Sequence, residues 1–76
     1  MEQEKFSFTE KKMIDNLIEI RKRKKISQTE LAELTGNSQQ LISRFEKNVH
    51  SPSMKLFLSI VDALGYELQL VKKSSL

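Results

Sequence analysis

Seventy-six residues set a limit of one domain, and a domain this small buries only roughly 60% of the surface its unfolded chain exposes. With no cysteine and a single histidine, the chain has no disulfide, no thiolate metal site and no imidazole-based metal site, which leaves self-association as the remaining source of added stability. The net charge of +3, from 13 Lys and Arg against 10 Asp and Glu, is too mild to identify a partner.

The chain opens Met1-Glu2-Gln3-Glu4-Lys5, acidic and polar, unlike a signal peptide. No apolar run approaches the roughly 20 residues of a membrane span. A cytoplasmic protein without membrane contact is expected. Residues 1–8 have no clear period, although Phe6 and Phe8 alternate, and read as a flexible arm or a short strand. Thr9 is a candidate N-cap for a first helix whose stripe is Met13, Leu17 and Ile20, widened by Ile14 and Ile18. Arg21, Lys22, Arg23, Lys24 and Lys25 are consecutive; this run suits the C-terminal end of a helix dipole and equally suits contact with phosphate.

Ser27 and Glu30 have the spacing of a capping box, which predicts a second helix over 28–35 with Leu31, Ala32 and Leu34 as its apolar residues. Gly36 supplies the positive φ of a sharp turn. Ser38 caps a third helix over 39–47 with Ile42 and Phe45 inward. Residues 48–52 hold the only proline and read as a loop in which His50 is an ordinary loop residue, with contact to a phosphate as the lesser alternative. A fourth helix is predicted over 53–64, with Met54, Phe57, Leu58, Val61 and Leu64 inward, and Gly65 stops it. Tyr66, Leu68 and Leu70 then alternate with Glu67 and Gln69, a strand-like period.

The informative segment is Ile26 to Glu46, two short helices joined by a glycine turn. The second of them opens with Gln39-Gln40 and carries Ser43 and Arg44 one turn on. A helix fits the major groove of B-DNA, where a glutamine amide matches adenine N6 and N7 and an arginine pairs bidentately with guanine. Taken alone, two glutamines on a helix surface are equally ordinary solvated residues. Catalysis has no support: the one histidine has no acid or nucleophile partner by spacing, and no glycine loop is built to cradle phosphate.

The segment resembles the helix-turn-helix of the Cro/C1-type (XRE) repressors in Ser27-Gln28, Glu30-Leu31-Ala32, Gly36, Ser38-Gln39, Ile42-Ser43-Arg44 and Glu46. Pro52-Ser53 and Ala63-Leu64-Gly65 extend the resemblance, which covers roughly residues 14–65. It implies an all-α fold, a compact four-helix lambda-repressor-like domain over 9–65. Residues 66–76 depart from it: family members continue there with another helix, whereas the alternation in this chain reads as a short β-strand and tail that pairs across a dimer. The resemblance further implies that Gln28 binds phosphate and braces the third helix, and that Gln39, Gln40, Ser43 and Arg44 read bases from Ser38 onward. Lys47 and Asn48 would hold the backbone beyond, and Arg21 would pair with Glu46.

Two further features depart from that pattern. Thr35 and Asn37 stand where apolar residues are usual, and the loop Asn48-Val49-His50-Ser51 lacks the usual glycine. Either the turn is less well packed than usual, or Asn37 fixes it through its own side chain. The strand-like tail is similar to that of the HipB-type antitoxins, where a strand pairs with its two-fold mate. Tyr66, Leu68 and Leu70 are therefore expected at a homodimer interface, or else as a cap on the chain's own core.

The expected function is a transcriptional autorepressor that binds double-stranded DNA at a near-palindromic operator. The alternative is an antitoxin that binds and neutralises a toxin protein. No cofactor or small-molecule ligand is expected.

Overall fold

Four helices follow one another in the computed structural model, which describes residues 2–74, with side chains from residue 6 onward. Helix α1 spans Glu2–Arg23, α2 Gln28–Thr35, α3 Gln39–Lys47 and α4 Met54–Ala63. Among the described residues, no helix is long and apolar enough to cross a membrane.

Helix α1 corrects the reading of residues 1–8 as an arm or strand. It begins at Glu2, so Thr9 lies inside it rather than at its cap; Met1 is outside the described residues. No proline or glycine interrupts the stretch, and the helix continues backwards past the end of the core. That is why it shows no apolar period there: Phe6 and Phe8 are exposed.

Helices α2 and α3 have only 8 and 9 residues, shorter than the roughly 12 at which isolated helices begin to hold in water. Their ends are satisfied by side chains and turns. Ser27 Oγ accepts the Glu30 N–H at 3.0 Å and Glu30 Oε1 accepts the Ser27 N–H at 2.9 Å, closing the capping box. Ser38 and Ser53 accept the Leu41 and Leu56 N–H groups in the same way.

Three helices end in the same paired hydrogen bonds. After α1 these are Ile26 N–H to Arg21 O and Lys25 N–H to Lys22 O. After α2 they are Asn37 N–H to Ala32 O and Gly36 N–H to Glu33 O, and after α4 Tyr66 N–H to Val61 O and Gly65 N–H to Asp62 O. The motif needs a left-handed residue. Gly36 supplies it after α2 at φ 70°, but after α1 the residue is Lys25, at φ 60°. Asn48 takes the left-handed position after α3, at φ 54°, in place of the missing glycine.

The core is built from Ile14 and Leu17 of α1, Leu31 and Ala32 of α2, Ile42 and Phe45 of α3, and Phe57, Ile60, Val61 and Leu64 of α4 and its end. Phe45 and Phe57 meet edge to face, with ring centroids 6.2 Å apart. Met54 and Leu58, expected inward, are exposed, as is Leu34 of α2, whereas Ile60 is fully buried. In α4 the apolar residues run nearly all round, so two stripes compete. The one that packs is Phe57, Ile60, Val61 and Leu64, at i, i+3, i+4 and i+7.

The strand expected over 66–71 is not formed. Residues 66–73 have no regular secondary structure, and Ser75 and Leu76 lie outside the described residues. A strand is completed by a neighbour's hydrogen-bond ladder, and the described residues of one chain contain no second strand to supply it.

A left-handed lysine is strained where glycine is not. Lys25→Gly is therefore expected to raise unfolding stability by about 0.5 kcal/mol, after the glycine entropy is subtracted. Gly36→Ala, where open space surrounds the added carbon, is expected to lower it by about 1 kcal/mol through φ alone. Urea unfolding followed by circular dichroism reads both changes.

Candidate nucleic-acid interface

Arg21 occupies the last turn of α1, and the fold leaves it 8% exposed. Its Nε and Nη2 donate to Glu46 Oε2 and Oε1 of α3 at 2.6 and 3.0 Å. Its Nη1 donates to the Ile26 carbonyl at 2.8 Å, in the turn before α2. This fork-to-fork pairing is the geometry that a guanidinium and a carboxylate favour. Both side chains are nearly closed to water, at 10% and 9% of their free area.

The chain of polar contacts continues outward. Gln28, the first residue of α2, donates from Nε2 to Glu46 Oε1 at 2.9 Å. Its Oε1 accepts from Gln39 Nε2 at 2.7 Å. Arg21, Glu46, Gln28 and Gln39 thus form one hydrogen-bonded series from the bundle interior to the exposed N-terminus of α3. The angle between α2 and α3 is held by it, together with the turn between them. In that turn Thr35 Oγ1 donates to Leu31 O at 2.9 Å, and Asn37 Nδ2 donates to Thr35 Oγ1 at 2.9 Å. The two departures from an apolar turn are therefore each other's partners, the second of the two alternatives for Asn37.

On α3, Ile42 and Phe45 face the core. Gln40, Arg44 and Lys47, at i, i+4 and i+7, share the exposed opposite face. Ser43 is half-buried at the edge of that face. Ser38 Oγ is occupied by the helix cap. Asn48 is half-buried at the far end, its N–H donated to Phe45 O at 3.0 Å. The surface offers glutamine amide, guanidinium and ammonium groups on a short, firmly braced helix. Those groups can hydrogen-bond base edges and phosphates. Lys22, Arg23, Lys24 and Lys25 are exposed at the end of α1.

The three tail residues are divided. Tyr66 and Leu68 line a groove of about 150 Å³ with Met13, Leu17, Phe57 and Val61. Leu70 is fully exposed, and Val71 beside it is 84% exposed. The described residues hold no cluster of three or more His, Cys, Asp or Glu side chains suited to a metal ion.

The resemblance had Gln28 bracing the third helix without naming its partners there; these are Glu46, 18 residues on in the chain, and Gln39. A long-range polar pair leaves no periodic trace, and only the residue types hinted at it.

A family model described as helix-turn-helix matches residues 17–71, from the middle of α1 into the tail. Neither a curated protein nor a solved structure matches the chain.

Removing one partner of a buried ion pair leaves the other uncompensated, at a cost of about 3–5 kcal/mol. Glu46→Ala is expected to destabilise the fold by that amount in urea titrations. Replacing both charges, as in Arg21→Met with Glu46→Leu, is expected to recover most of it.

Proposed function

The chain belongs to the helix-turn-helix family of Cro/C1-type DNA-binding transcription regulators, and from that membership we propose that it is a dimeric, sequence-specific repressor. In this reading α3 enters the major groove. Gln40 and Arg44 read base edges from its exposed face, joined by Gln39 and Ser43, while Lys47 and Asn48 contact the backbone beyond. Gln28 holds Gln39 and presents the start of α2 to a phosphate. The single observation that carries the proposal is the exposed Gln40, Arg44 and Lys47 face on a helix fixed by the buried Arg21–Glu46 pair.

A dimer fits the same reading. Leu70 and Val71 are apolar and exposed, and the backbone beyond Tyr66 makes no hydrogen bond to the rest of the described backbone. A second copy across a two-fold axis supplies an identical segment to pair with. Two copies of α3 would then face successive major grooves about 34 Å apart, one turn of duplex, which suits a near-palindromic operator. Repression follows when the bound dimer covers a promoter, in the first instance its own. The second reading, an antitoxin that neutralises a protein partner, draws on the same exposed residues, Leu70 and Val71, with a toxin in the place of the second copy.

Fluorescence anisotropy on duplex DNA from upstream of the protein's own coding sequence tests the repressor reading, with a scrambled duplex in parallel. The expected preference is about a thousandfold or more, the low end for specific readers, with affinity falling as salt rises. Gln40→Ala is expected to lose at least about tenfold of that preference while unfolding at the parent's urea midpoint. Full discrimination in the variant would remove Gln40 from the reading surface, and equal binding of both duplexes by the parent would count against autorepression.

A further inference from the structure

Helix α3 presents a polar face, yet its flank carries one large aliphatic side chain. Leu41 follows Gln40, precedes Arg44 by one turn, and is 39% exposed. Val49, just past the end of α3, is 54% exposed. The two line one open groove of about 190 Å³, with Arg44 and His50 at its polar edge and Phe45 and Leu56 at its base. Single exposed aliphatics are ordinary on protein surfaces. Two that share a groove with the arginine of a nucleic-acid-facing helix call for a ligand that is apolar at one point and polar beside it.

Only one feature of the major groove has that character. The C5-methyl group of thymine is its sole apolar group, and it lies beside the hydrogen-bonding edges of its own and neighbouring pairs. We propose that Leu41, with Val49 beside it, reads a thymine methyl next to the base pair addressed by Arg44. The inference rests on the placement of α3 in the major groove proposed above, and it adds an apolar term to recognition by glutamine and arginine. It makes Leu41 a specificity residue, although one side of it packs on the protein.

The test separates a methyl group from every other property of the base. Sites are first enriched from a random duplex pool with the full-length protein. Each thymine of the enriched duplex is then replaced singly by deoxyuridine, which lacks only the methyl. Binding is followed by anisotropy against a scrambled duplex. At one or two thymines in each half-site the affinity is expected to fall about fourfold, the worth of one buried methyl-sized group.

In Leu41→Ala the same replacement is expected to change affinity less than twofold. Gln40→Ala is expected to keep the full methyl effect. Val49→Thr, which keeps the shape of an exposed side chain, is expected to reduce the effect and serves should Leu41→Ala fail to fold. An enriched duplex indifferent to every deoxyuridine overturns the proposal and leaves the repressor reading standing. So does a methyl effect that survives unchanged in both variants. A pool that yields no sequence bound better than the scrambled duplex overturns the repressor reading, and this inference with it.

Discussion

Arg21 pairs with Glu46 where both side chains are nearly closed to water, and the position of this arginine determines much of the rest. A guanidinium shut away from water needs charge and hydrogen bonds to replace its hydration. Glu46 supplies the charge from α3, and the Ile26 carbonyl supplies an acceptor from the turn before α2. Three elements are therefore tied at one point. The remaining capacity of the Glu46 carboxylate takes up Gln28, and Gln28 takes up Gln39. A buried charge where α1, α3 and the turn before α2 meet thus reaches the outer end of α3 through side chains that are each already partnered. A base-reading helix needs this kind of firm support, because a small error in position forfeits a bidentate contact.

The remaining stability comes from economy at the helix ends. With no cysteine for a disulfide and a core of ten buried apolar residues among those described, short helices have little room for unsatisfied backbone groups. Serine caps open α2, α3 and α4, and paired carbonyl-capping bonds close α1, α2 and α4. Where glycine is missing, Lys25 and Asn48 adopt the left-handed backbone instead. Asparagine does so readily because its short polar side chain bonds locally; lysine has no such relief.

These end signals explain which parts of the fold could be read in the sequence. Ser27 with Glu30, Gly36 and Ser38 are local signals, and they placed α2 and α3 at the ends the structure has. The start of α1 carried no such signal, because its first turns extend beyond the core and need no apolar stripe. In α4 the phase was ambiguous for the opposite reason. With apolar residues on nearly every side, only packing against Phe45 and its neighbours decides that Ile60 goes inward and Met54 outward. The alternation in the tail suggested a strand that one chain cannot complete. On the site, the polar face of α3 and the Arg21–Glu46 pair followed from residue types set against a familiar pattern. The same pattern had Gln28 bracing α3, but Glu46 as its partner joins distant positions and left no periodic trace.

The regulator's function thus comes down to where α3 sits on DNA, and chemical protection at the bases tests that most directly. Dimethyl sulfate methylates guanine N7 in the major groove and adenine N3 in the minor groove of the bound duplex. With α3 in the major groove and Arg44 on guanine, the account predicts guanine N7 protection in two clusters about one helical turn apart, one for each subunit. Adenine N3 is predicted to stay reactive between them. Protection confined to adenine N3, with every guanine N7 open, would place the protein in the minor groove and contradict the account.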